Sequence, residues 1–192
     1  MKFEKSPKAR ASIKEGVLYA IDGQDGFIYY GQLGRDKSVG FFKHRDIELS
    51  RKFSPPSHRI MSRFMISFPS IGRALRSGMW LKLGKFELHD DLQDYMVLVQ
   101  WPVDTLDVLV WKGDKIIKKT NAFDPEIQEF ELMQVYDAVA HVAKRLQVDF
   151  DPSAENPEVG GSVRKERKLK ELLAQRFPDQ PWHQLPKNWE YL

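Results

Sequence analysis

The stretch EGVLYAIDGQDGFIYYGQLGRDKSVGFFKHRDI, Glu15 to Ile47, decides the fold. Its first run, GVLYAI, is apolar and rich in residues that suit a pleated, buried surface. DGQDG follows as turn chemistry, because Gly and Asp tolerate the positive φ that tight hairpins require. FIYYGQL reads as a second strand and SVGFF as a third, so strands are predicted over about 16–22, 27–33 and 38–43. Nothing in the stretch carries a catalytic signature.

The same reading extends outward. Arg51 to Ser57, RKFSPPS, is a Pro-punctuated loop. RIMSRFMISF alternates loosely and offers Ile60, Phe64, Ile66 and Phe68 to one face of a further strand. SIGRALRSG reads as one or two helical turns, with Ser70 as N-cap and Gly78 past the end. MWLKLGKFEL is a strand, HDDLQD at 89–94 an acidic turn, and YMVLVQWP a dense apolar strand closed by Pro102. TLDVLVWKGDKIIKKT is the clearest hairpin, its two apolar runs flanking Lys112, Gly113 and Asp114.

Farther on, Asp124-Pro125-Glu126 can open a helix, since Pro suits the first helical position. Steps of three and four through Leu132, Tyr136, Val139, Ala143 and Leu146 predict one long helix over about 128–147. That helix would bury Tyr136 and Val139 against the sheet. DPSAENPEVGGS, residues 151–162, has linker composition. VRKERKLKELLAQRF is a basic amphipathic helix with Leu169, Leu172, Leu173 and Phe177 on one side. The closing PDQPWHQLPKNWEYL has too much Pro for regular helix and is expected to dock on the folded chain through Trp182 and Trp189.

These elements define an α+β protein: a strongly bent antiparallel β-sheet or small barrel over about 14–120, packed by one long helix, with a C-terminal helical and irregular tail. The expected division is 1–150 for the β domain and its helix, and 151–192 for linker, basic helix and Trp/Pro-rich tail.

Composition narrows the chemistry. The 192 residues are 42% apolar and 30% charged, an ordinary globular balance. The absence of cysteine excludes disulfides, a thiolate nucleophile and Cys-ligated zinc. MKFEKSPKARASIKEG is charged and lacks the apolar core of a secretory signal. No run approaches the roughly 18 apolar residues of a membrane helix. A cytoplasmic protein with no membrane partner is expected. Net charge is +3 but uneven: residues 1–80 carry +8, residues 81–150 carry −5, and residues 151–192 are neutral. Such asymmetry can steer a charged partner.

His44, His58, His89, His141 and His183 have no metal-ligand spacing. His89-Asp90-Asp91 with Asp94 is the closest cation-like cluster, and it matches no calcium loop. Phosphate-cradling glycine motifs and the GxSxG elbow are both missing. The expectation is therefore no catalytic residue, no cofactor and no metal. Arg51, Lys52, Arg59, Arg63, Arg73 and Arg76 with Phe64 and Phe68, and the RKERKLK run at 164–170, permit a nucleic-acid-binding β domain using the basic N-terminal half. Against it, Phe64 and Phe68 alternate like core residues, and Glu166 and Glu171 interrupt or flank the basic run.

Residues 15–43 resemble the opening of the immunity protein 26 family of bacterial polymorphic-toxin systems. The similar features are Gly16, the VLYAI strand Val17 to Ile21, the turn Asp22 to Gly26, the aromatic strand Phe27 to Tyr30, and Gly31 to Leu33. SIGRALRSGMWLKLGKFEL adds a second point, a short segment leading into a strand with Trp80 and Gly84. The resemblance covers about 14–120. It implies a mostly-β inhibitor, without catalytic residues, that binds and neutralises one cognate toxin, often a nuclease. Nuclease active sites are commonly basic because their substrate is anionic. The acidic 81–150 portion, with Asp90, Asp91, Asp94, Asp104 and Asp107, is then the natural toxin-binding face, while the basic first 80 residues would suit an acidic toxin surface.

Overall fold

The computed structural model describes residues 3–50, 53–151, 153, 156 and 159–191. Its strands are β1 (Val17–Asp22), β2 (Ile28–Leu33), β3 (Ser38–Asp46), β4 (Ile60–Ile66), β5 (Trp80–Lys85), β6 (Val97–Gln100), β7 (Asp107–Lys112), β8 (Lys115–Asn121), β9 (Glu131–Leu132) and β10 (Val135–Tyr136). Its helices are α1 (Phe68–Ser77), α2 (Val142–Phe150) and α3 (Val163–Arg176). The elements fall into two compact units, Met1–Met96 with Gln134–Glu155, and Val97–Met133 with Asn156–Leu192. The units are therefore interleaved along the chain and do not meet at the single boundary near 150 expected from composition.

The first unit holds a six-stranded sheet in the order β10-β4-β3-β2-β1-β5. Its pairs are antiparallel except for the short β10, which runs parallel to β4. The sheet is a strongly curled half-barrel, the α+β arrangement expected. Register shifts at Leu18/Tyr19, Tyr29/Gly31 and Phe41/Phe42 supply the bend, because an extra residue on one strand increases local twist. Gly31 is required at one of them: a Cβ there would lie 2.9 Å from the Phe41 ring.

Both faces of this sheet are buried, which is why VLYAI is a continuous apolar run. Val17, Tyr19 and Ile21 face one core with Ile71, Leu75, Val142 and Leu146 from α1 and α2. Leu18 and Ala20 face another with Tyr30, Phe42 and Phe53. Phe53 stacks on Tyr30 with ring centroids 4.0 Å apart. Helix α1 ends at Gly78, whose φ of 77° is the left-handed C-cap conformation. Its N-cap is Ser67, not Ser70; the Ser70 hydroxyl instead donates to Ser67 O and accepts Ala138 N–H.

The long helix predicted over 128–147 is not formed. Only Val142–Phe150 is α-helical, and the residues before it make β9, β10 and a turn. Leu132 is buried in the second unit and Tyr136 beside β4 in the first, so steps of three and four arise here from strand, turn and helix in succession. Asp137 sets the break. Its carboxylate accepts the N–H groups of Val139 and Ala140, an Asx arrangement that competes with helix. Val139 is only partly buried.

In the second unit the sheet order is β8-β7-β6-β9, with β9 parallel to β6. Val99, Val108, Val110, Ile127 and Leu132 form its core with Val163 at the start of α3. The most buried positions on α3 are Val163 and Arg167; Leu169, Leu172, Leu173 and Phe177 are half-buried. Arg167 donates to Gln128 Oε1 at 3.0 Å and to Glu190 O at 2.7 Å. It therefore ties the tail to the helix.

Trp189 docks as expected. Its ring stacks on Trp101 with centroids 6.0 Å apart and its Nε1–H donates to Glu171 Oε1 at 2.9 Å. Trp182 does not, being 69% exposed. Trp189→Ala should then destabilise the second unit by about 2 kcal/mol, while Trp182→Ala should stay within about 0.5 kcal/mol of wild type. Thermal melts of the two variants check this, and equal melting temperatures would contradict it.

Candidate protein interface

The acidic turn at 89–94 leads out of β5 and is fastened to the sheet by backbone-directed bonds. Gln32, fully buried on β2, accepts His89 N–H at 3.0 Å and donates to Glu87 O at 2.7 Å. Arg35 N–H donates to Leu92 O at 3.1 Å. Within the turn, Leu92 N–H donates to His89 O, and Gln93 N–H to Asp90 O, closing a 3-10 turn over Asp90–Leu92. Asp91 N–H donates to His89 Nδ1 at 3.2 Å.

Leu92 is the apolar plug. It is fully buried over Gly40, where a Cβ would stand 2.4 Å from Leu92 Cδ2. Glycine at 40 thus opens the notch that seats the turn.

Arg63 on β4 is the main brace. Its guanidinium donates from Nε to Ser38 Oγ, from Nη1 to Asp91 O and from Nη2 to Asp94 O, each at 2.7 Å. Nη2 also lies 2.8 Å from Asp36 Oδ2. Burial pushes the Asp36 carboxyl up, but bonds from Met96 N–H, Ser38 and Arg63 outweigh it and hold the group below its ordinary value. The folded-state pKa therefore lies below the unfolded one. The stabilisation is complete above the unfolded value near 3.8 and is lost as pH falls through the folded value. The stability difference between wild type and Asp36→Asn should accordingly shrink as denaturant melts move from neutral pH into that range. A difference constant with pH would contradict this account of Asp36.

What the brace presents outward is a short, structured acidic surface. Asp90, Asp91 and Asp94 are exposed beside Tyr95, itself 52% exposed. Two of the three carboxylates are held: Gln93 Nε2 donates to Asp90 Oδ1, and Tyr95 N–H to Asp94 Oδ1, each at 2.8 Å. Such a surface can accept Lys and Arg from a partner, with Tyr95 as an aromatic contact.

Asp104 and Asp107 belong to the second unit, in the turn leading into β7 and at its first residue. Both are exposed, and Asp104 has a φ of 58°. Of the five predicted aspartates, only Asp90, Asp91 and Asp94 share one loop.

Within the basic set, Arg59 and Arg76 are exposed. Phe64 is buried in the core, and Phe68 packs against it. Arg63 is held in its brace, and Arg73 is paired with Asp137. Arg51 and Lys52 lie outside the described residues. On α3, Arg167 is buried, Arg164 pairs with Glu129, and Lys170 lies 3.4 Å from Glu166. Among the described residues, no group of three His, Asp or Glu is placed to hold a metal ion, and no helix is long and apolar enough to cross a membrane.

Sequence reading missed Arg63 and Asp36 as a pair because nothing local links a residue on β4 with one in the turn between β2 and β3. The one local signal was Leu92, a lone apolar residue inside HDDLQD. Comparison with family models, curated proteins and solved structures finds no match to this chain.

Proposed function

We propose that this protein is an immunity protein that binds a cognate bacterial toxin in the cytoplasm and neutralises it by protein–protein contact, with no catalytic step of its own. The observation that carries the reading is the exposed Asp90, Asp91, Asp94 and Tyr95 surface held by Arg63. An inhibitor gains affinity from a contact surface ordered before binding, since little ordering is left to oppose association. The acidic character suits a toxin with a basic site, as a nuclease has. The resemblance of residues 15–43 to the immunity protein 26 family supports the same reading.

The triple variant D90K/D91K/D94K tests it. Used as bait in extracts of the native host, wild type should capture a basic-surfaced protein that the folded triple variant does not. Interfacial charge reversal at three sites should weaken such a complex by at least about 100-fold. Equal capture by both baits would remove the loop from the contact.

A further inference from the structure

The sheet of the second unit buries only one face in its core. Val99, Val108 and Val110 point into that core, and side chains alternate along a strand, so Leu98, Leu109 and Trp111 stand on the opposite face. The register carries that face onto β8: Trp111 pairs with Ile116, and Leu109 with Lys119. Ile116 is 42% exposed, and Ile117, at the register shift, 55%.

β8 ends the strand order, and among the described residues it pairs only with β7. Its outer edge presents a row of backbone N–H and C=O groups, a template for another strand. The strand sequence, KIIKKTN, contains Lys115, Lys118 and Lys119 and no carboxylate. Lys118 is turned to Asp124 at 2.7 Å and Glu126 at 2.5 Å. Lys115 and Lys119 are exposed and enter no ion pair among the described residues. Two copies of this strand set edge to edge would bring lysines together, which opposes self-pairing.

We propose that β8 is a docking edge for a partner protein, which adds an extended acidic segment, with carboxylates on both faces and apolar residues between them, as a fifth strand. Backbone bonds to β8 supply affinity, an apolar side chain covers Ile116 and Trp111, and carboxylates meet Lys119 on that same face and Lys115 on the other. This site is independent of the acidic loop: it lies in the other unit and selects the opposite charge.

The test uses a fluorescein-labelled Glu–Val peptide with the order Glu-Val-Val-Glu, matching Lys119, Lys118, Ile116 and Lys115 across the edge, and its Lys–Val counterpart, read by anisotropy at low and high salt. The Glu–Val peptide should bind, more weakly as salt rises, and slow amide exchange in β8; the Lys–Val peptide should not bind. Lys115→Glu with Lys119→Glu should lower Glu–Val affinity at least about tenfold, through two lost charge-assisted contacts. The milder Lys119→Gln, expected to lose a few-fold, serves if the double reversal melts early. D90K/D91K/D94K should bind the peptide as wild type does, which separates this site from the toxin reading. No binding, equal binding of both peptides, or binding untouched by the lysine variants would overturn the proposal. So would a dimer in light scattering whose exchange protection maps to β8, because the occupant would then be a second copy.

Discussion

Arg145→Ala is expected to destabilise the first unit by about 3–5 kcal/mol, the cost of breaking a buried ion pair. Arg145 and Asp149 are one helical turn apart on α2, 2.6 Å from Nε to Oδ2, with both side chains almost fully buried. Nη1 also donates to the Tyr136 hydroxyl at 3.0 Å, and the guanidinium lies 4.9 Å from the Phe64 ring centroid. Removing Arg145 takes a buried charge-assisted bond from Asp149 and withdraws packing from the core face of β4 and β10 together. A fall in melting temperature of roughly 10 °C or more follows from that energy. Replacing both partners with apolar residues, as Arg145→Met with Asp149→Leu, should recover part of the loss, since both members of the pair are then removed together. A single alanine variant that melts like wild type would show that the pair does not hold α2 to the sheet.

Arg63→Ala should cost about 3 kcal/mol by the same logic, because it leaves Asp36 uncompensated beneath the acidic turn. It has a second effect that Arg145→Ala lacks. Asp91 O and Asp94 O lose their donors, so amide exchange across 89–95 should rise well beyond the change in global stability. Arg63→Lys separates the two effects. A lysine retains a point charge for Asp36 but lacks the planar fork that reaches Ser38, Asp91 and Asp94 at once. It should recover part of the stability and little of the protection. Unchanged exchange in the turn for both variants would mean that Leu92 and Gln32 alone hold it.

Legibility in the sequence followed the range of the interactions. The strands from Val17 to Lys85 and the hairpin around Gly113 were readable because turn glycines and apolar runs are local signals. The segment before α2 was misread because its apolar spacing fits a helix, and the Asp137 carboxylate that ends the alternative is one residue in that pattern. The split into two units was hidden for a different reason. β9 and β10 lie three residues apart in sequence yet pair in different sheets, which only long-range register reveals. Of the candidate interface, the acidic residues were visible and their brace was not. Arg63 had the look of a phosphate contact until its partners, Asp36 and two turn carbonyls, came from 27 to 31 positions away.

The most direct measurement is competitive growth. A host strain lacking this gene is mixed with its toxin-producing parent, and survival is scored with wild-type protein or D90K/D91K/D94K supplied in trans. The account predicts that wild type restores survival and that the triple variant, folded and equally abundant, does not. Equal rescue by the two proteins, or a deletion strain that needs no rescue, would contradict it.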